Sequence, residues 1–172
     1  MPTKAQRATA YHEAGHAVLS LLMRHHIRRV SIVPNDDEGT LGHCSSNGAP
    51  KWFKPDVGMG FRDEKWIESE VLILLAGTAA ARHLTGRHNW RGSNRDIAAA
   101  CDLASYLYHG RALKLFLAFM IERTRTAVAS PATWLQIEAV AEALLDRGTL
   151  SGREVRTVCQ QAIMSRAARL TL

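Results

Sequence analysis

Two histidines four residues apart, with a glutamate beside the first, carry the clearest chemistry in this chain. Residues His12-Glu13-Ala14-Gly15-His16 form an H-E-x-x-H motif. On a helix that spacing is about one turn, so both imidazoles project from one face and can hold a single metal ion at about 2.0–2.1 Å. Glu13 can reach a metal-held water without being a ligand itself, which is the position of a general base. The neighbours Ala10, Tyr11, Ala14, Ala17, Val18, Leu19, Leu21 and Leu22 make the segment largely apolar, so the motif lies on or beside a buried face. A carboxylate buried there is costly without a partner, and zinc with its water supplies one indirectly. The bland alternative is an amphipathic helix whose histidines are satisfied by hydrogen bonds in the core.

A catalytic zinc takes three protein ligands and leaves the fourth position to water. No downstream histidine follows at metzincin spacing, and no further acid follows on the first helix, so the third ligand must come from elsewhere. Glu68, Glu70, His83, His88, Asp96 and Asp102 are the candidates. Periodicity sets Asp96 beside an apolar face made by Ile97, Ala100, Ala104 and Leu107. An acid in a first helical turn is equally well explained by the helix dipole, so spacing alone leaves the set open.

The elements that must position these groups are mostly helical. A first helix over about Thr3 to His25 leads into a β-like passage, Arg29 to Val33, a turn-rich Pro34 to Gly39, and a second strand at Thr40 to Cys44, which together read as a small hairpin. Residues Ser45 to Gly60, with Gly48, Pro50, Pro55, Gly58, Trp52 and Phe53, read as an extended loop. A second helix opens with Asp63 and Glu64 in its first turn and stops at Gly86. Ser93 is a good N-cap for a helix over about Asn94 to His109. Three more helices follow, about Ala112 to Ala127, Pro131 to Asp146 with Gly148 as C-cap, and Ser151 to Arg169. Phe116, Phe119 and Met120 read as core. The expected fold is mainly α (α+β): a zincin-like active-site helix with a small β-hairpin, then a C-terminal helical bundle.

A chain of 172 residues with 47% hydrophobic content can close one sizeable core, and no polar linker divides it, so a single domain over 1–172 is expected, with a zinc-site half over 1–110 and C-terminal helices over 111–172. The formal charge of +6 would suit an acidic partner, but Arg is scattered over the C-terminal helices without a dense basic run or interleaved aromatics, so no nucleic acid is expected. Cys44, Cys101 and Cys159 are odd in number and widely spaced, which reads as reduced thiols rather than disulfides or zinc ligands. No apolar run is long enough to span a bilayer and no signal peptide is visible, so a cytoplasmic location is expected. The absence of any Gly-Lys pair excludes a G-x-x-x-x-G-K-[ST] phosphate loop, and with it a recognisable ATPase engine.

Four segments resemble, in order, the FtsH-type peptidases, the protease half of membrane-bound AAA proteases. Ala10 to Val18 looks like their zinc-binding helix. Val30-Ser31-Ile32-Val33-Pro34 with Leu41-Gly42 resembles their short β-region, and Leu75-Ala76-Gly77-Thr78-Ala79-Ala80 their L-x-G-R-A-A-E-E helix. Gly92-Ser93-Asn94-Arg95-Asp96-Ile97 with Ala100 resembles their G-A-x-N-D-[IL]-x-x-A-T segment. The resemblance covers roughly residues 8–110 and is looser beyond. Arg95 stands where the family has asparagine, Thr78 replaces its arginine, and Ala81 and Arg82 replace its two glutamates.

The resemblance implies that Asp96 is the third zinc ligand beside His12 and His16, with one Zn²⁺ per chain and Glu13 as catalytic base. It implies a metallopeptidase in which Glu13 takes a proton from water and passes it to the leaving amine. An extended substrate would add to the edge strand at Thr40 to Cys44. The chain resembles a free-standing version, without the family's ATPase and transmembrane modules. Unfolded or flexible polypeptides are then the expected substrates, with a separate ATPase or unfoldase as the route for folded ones and self-association as a further expectation. Two rival classes remain: a catalytically inactive zinc-binding adaptor or regulatory domain, and a basic nucleic-acid module in which the motif is structural.

Overall fold

The computed structural model describes residues 1–34, 42–46, 48–86 and 90–170. Their order is α1 (Lys4–Leu22), β1 (Ile27–Ser31), β2 (His43–Ser46), α2 (Phe61–Thr85), α3 (Trp90–Ala104), α4 (Gly110–Ala129), α5 (Pro131–Arg147), β3 (Thr149–Ser151) and α6 (Gly152–Leu170). The fold is mainly α with a small antiparallel sheet, and no helix among the described residues is long and apolar enough to cross a membrane.

Local chemistry sets the helix ends. Thr3 and Gln6 form a capping box, the Gln6 N–H donating to Thr3 Oγ1 at 3.1 Å and the Thr3 N–H to Gln6 Oε1 at 2.9 Å, so two orphan donors of α1 are satisfied. At the start of α2 the Gly60 N–H donates to Asp63 Oδ2 at 2.9 Å. Its other end is closed by Gly86, whose φ of 67° is the left-handed value a glycine accepts without strain. Ser130 and Pro131 open α5 and Gly148 closes it.

Several boundaries differ from the sequence expectation: β1 covers Ile27–Ser31 rather than Arg29 to Val33, and β2 runs on to Ser46. α3 begins at Trp90, so Ser93 lies inside the helix instead of capping it, and α3 ends at Ala104 rather than His109. After Ala104 the chain tightens, Ser105 N–H facing both Cys101 and Asp102 carbonyls, and leaves the helix. Ser151, expected in the last helix, belongs instead to β3. That three-residue strand pairs antiparallel with β1, Val30 opposite Leu150, while Cys44 of β2 faces Val30 from the other side. The strand order is therefore β2-β1-β3, and the turn expected at Pro34 to Gly39 and the start of the second strand at Thr40 and Leu41 lie largely outside the described residues.

Two apolar clusters organise the packing. One joins α1, β1, β3, α5 and α6 through Leu19, Val30, Ile137, Leu144, Leu150 and Val155, each 0% exposed. The other joins α2, α3 and α4 through Ile67, Val71, Ala100, Ala104 and Met120, also each 0% exposed. The C-terminal helices are thus divided between both clusters, α4 mainly with α2 and α3 though its Val128 reaches the first, α5 and α6 with α1. Within the first cluster, α1 and α2 meet through Ala14, Ala17, Ala76 and Ala80, small residues that let two helix backbones approach closely. Gly15 marks the tightest point. A Cβ there would sit 2.6 Å from the Ala76 carbonyl oxygen and 2.8 Å from Ala80 Cβ.

Gly15→Ala tests that contact with opposed signs. Helix propensity alone would stabilise the variant by about 1 kcal/mol, whereas forcing a methyl against a neighbouring backbone costs about 1–3 kcal/mol. Thermal unfolding is expected to show a lower Tm for the variant, and a raised Tm would mean the helices have room that the structure denies.

Candidate metal centre

Because α1 faces α2 through small residues, the side chains it presents on that face are sheltered without being smothered. His16 is 8% exposed and Glu13 is 6% exposed. The His16 ring is oriented by α2: its Nδ1 lies 2.8 Å from the Ile73 carbonyl oxygen, an acceptor only, so Nδ1 carries a proton. In the neutral ring the lone pair then resides on Nε2, facing His12 and Asp96. Sequence reasoning missed Ile73, since a backbone carbonyl leaves no mark in residue type.

Asp96 reaches the same point from α3, whose apolar face at Ala100 and Ala104 is packed against α2. Its Oδ2 stands 3.0 Å from His12 Nε2 and 3.3 Å from His16 Nε2, and the two Nε2 atoms are 3.0 Å apart. Ligands on a tetrahedral ion at zinc-like distances are separated by about 3.3 Å, so the three atoms have the spacing of one face of such a cage. Despite its near neighbours, Asp96 Oδ2 is one of two buried side-chain oxygens among the described residues without a hydrogen bond of acceptable geometry. A buried carboxylate oxygen left in that state is expensive. Three lone-pair donors converging on one point fit a cation better than they fit one another.

Room for an ion beside the two imidazoles would come from Gly77. A Cβ at that position would overlap His16 Nε2 and stand 2.8 Å from His12 Nε2, filling the notch that both ligand atoms face. Gly42, just ahead of β2, plays a related part for Glu13: a Cβ there would come within 2.7 Å of Glu13 Oε1 and 2.9 Å of its Cγ, so the backbone leans directly on the carboxylate. A glycine in the middle of a helix costs about 1 kcal/mol against alanine, and that cost was the one signal in the sequence that could have singled out Gly77.

The remaining candidates are elsewhere. Glu68 pairs with Lys65 at 3.0 Å. Glu70 pairs with His25 at 2.8 Å. His83 packs its ring on Trp134, with centroids 4.3 Å apart. Asp102 is exposed on α3, and His88 lies outside the described residues. Among the described residues His12, His16 and Asp96 form the one group of three such donors close enough to share an ion.

Burial and charge act against each other in the cluster. Burial pushes the Glu13 carboxyl up to about 7, assisted by Asp96 and opposed by His16. Burial likewise holds His12 below the ordinary imidazole value, with Asp96 only partly offsetting it. His16 would also be lowered by burial, but Asp96 and Glu13 overcome that and raise it to about 9. Asp96, which burial alone would raise, is held well below the usual carboxylate range by the two imidazoles. Protons thus occupy the place that a divalent cation would take, and a metal entering the cluster must displace them.

A helix-borne H-E-x-x-H pair, completed by a carboxylate from a second helix and backed by a small sheet, defines a metallopeptidase-type domain. The chain belongs to peptidase family M41, whose model matches residues 1–109. It is similar to the "ATP-dependent zinc metalloprotease FtsH" of Heterosigma akashiwo, 30% identical over 107 residues, and to the protein of that name from Haemophilus influenzae, 32% identical over 107 residues. Each match takes in 60% of this chain but only 15% of the relative's length.

Gly77→Ala should leave the helices intact, since alanine favours α2, while the added methyl occupies the notch. Metal analysis of the purified variant is expected to find the divalent ion lost with the circular dichroism unchanged, and full metal loading would contradict the cradle described above.

Proposed function

We propose that this chain is a zinc-dependent peptidase acting on unfolded or flexible polypeptides, with His12, His16 and Asp96 holding one zinc ion and Glu13 serving as general base. The observation that carries this reading is the convergence of Asp96 Oδ2, buried and without a hydrogen bond, on the two Nε2 atoms at 3.0 and 3.3 Å. Membership of a peptidase family and the zinc metalloproteases among its relatives support the same choice of ion.

When bound, zinc would lower the pKa of a water toward about 7 and polarise the carbonyl to be attacked. The protein's own part is proton transfer and placement. Glu13, raised to about 7 mainly by burial, is matched to taking a proton near neutral pH and returning it to the departing amine. Gly42 fixes where that carboxylate stands. The Ile73 carbonyl holds His16 in the tautomer that a ligand needs. β2 lies at one edge of the sheet, immediately after Gly42, so an extended peptide pairing along it would run past Glu13. Such a mode of binding selects chains that are already extended. Folded proteins would first have to be unfolded, and these 172 residues hold no phosphate-loop motif.

An inactive, zinc-holding adaptor would share the metal centre but not depend on Glu13. Glu13→Gln separates the two: metal content should be kept, while hydrolysis of an unfolded polypeptide falls by about 10²–10⁴-fold. Chelation should abolish turnover of the wild type and added zinc should restore it. Wild-type protein without stoichiometric metal, or a Glu13→Gln variant with full turnover, would sink the proposal.

A further inference from the structure

The chain leaves α1 through a turn in which the His25 N–H donates to the Ser20 carbonyl at 2.8 Å and the Arg24 N–H to the Leu21 carbonyl at 3.1 Å. That pair of bonds is a Schellman closure, and its left-handed position is usually glycine. Here it is Arg24, with φ at 61°, the one non-glycine residue with positive φ among the described residues. A side chain in that conformation carries strain, and strain retained at one position points to a use for the side chain.

Arg24 lines an open groove of about 450 Å³ between the end of α1, α5 and α6, in which Arg24, Arg156 and Ile163 are all exposed. His26 and Arg156 border it too, and no acidic residue does. Among the described residues none of these three basic side chains makes an ion pair or hydrogen bond, unlike Arg7, Arg125 and Arg147, which each pair with a glutamate. His25 also lines the groove, but both its ring nitrogens are occupied, at 2.8 Å from Glu70 and 2.8 Å from Ser69, so it is wall and not ligand. Leu21 and Ile163 give the groove apolar sides. Gln136, which donates its Nε2 to the Ala132 carbonyl at 3.0 Å, keeps its own oxygen as an acceptor.

We propose that this groove binds a small organic phosphate, its phosphate gripped by Arg24 and Arg156 and its body laid against Leu21 and Ile163. Guanidinium forks match phosphate oxygens in pairs, and two of them with an imidazole offer more donors than a carboxylate can use. The volume falls in the range of small-molecule sites. The site is separate from the metal centre, lying about two helical turns beyond His16 along α1.

Calorimetric titration with phenyl phosphate, with inorganic phosphate alongside, tests the proposal, and co-sedimentation with phosphatidylcholine vesicles containing phosphatidic acid asks whether a lipid headgroup is the source of the phosphate. Phenyl phosphate should bind more tightly than inorganic phosphate. Arg24→Gln and Arg156→Gln should each weaken it about 10-fold, and Lys114→Gln, a control on α4, should not. Arg24→Gly should weaken binding as much while raising Tm by about 2 °C, because the strain goes with the side chain. Vesicle binding lost in the same variants, without phenyl phosphate binding, would assign the phosphate to a lipid. Failure of both probes to bind, affinity indifferent to Arg24 and Arg156, or a lowered Tm in Arg24→Gly overturns the proposal.

Discussion

The close approach of α1 to α2 governs everything else in the molecule. It exists because Gly15, Ala76 and Ala80 put almost nothing between the two backbones, and because Gly77 leaves a gap opposite His12 and His16. Two helices separated by leucines would hold the same imidazoles, but the Ile73 carbonyl would then be out of reach of His16 Nδ1, which it now meets at 2.8 Å. The interface therefore does two jobs with one device, giving up apolar contact area between large side chains and gaining a small, sheltered, polar volume. That trade is tolerable because the apolar burial lost there is supplied on either flank, by Leu19 and Leu144 on one side and Ile67 and Met120 on the other.

Polar groups gathered in such a volume cannot all be neutral or all be charged. Burial raises Glu13 and lowers His12, while Asp96 and His16 keep opposite charges by facing each other. The arrangement is costly as a set of side chains, since Asp96 Oδ2 lacks a well-formed hydrogen bond. Sites that fold around a ligand commonly carry such unfinished business, because the missing partner is not part of the chain.

How much of this was written in residue order follows from the range of each interaction. The H-E-x-x-H pair is local, and one helical turn was enough to align His12 with His16. The stops at Gly86 and Gly148 are local as well, and the structure has them where their chemistry put them. Asp96 lies 80 residues from His16 in a helix whose start was misread at Ser93, and its spacing alone did not separate it from Glu70 or Asp102; the likeness to FtsH-type peptidases did. Glu70 is drawn off by His25 and Asp102 points to solvent, facts that only tertiary packing decides. The groove at Arg24 was invisible for the same reason. Arg24 and Arg156 are far apart in order, so a charge distribution that reads as scattered along the chain becomes a cluster in space.

The segment beyond residue 109, outside the family match, is not an appendage. Its strand β3 lies against β1, with Leu150 facing Val30 and the Ser31 and Thr149 hydroxyls 2.9 Å apart. Gly152 then passes so near the Ile27 carbonyl that no side chain could fit. One side of β1 is closed by this contact, while on its other side lies β2, the outer strand among the described residues, next to Gly42 and Glu13. A three-residue strand contributes little as a strand, but by occupying one flank of β1 and anchoring α5 and α6 to α1 it fixes the sheet relative to the histidine helix. The C-terminal third thus helps to set how β2 lies with respect to Glu13, although it supplies none of the four side chains of the candidate metal centre.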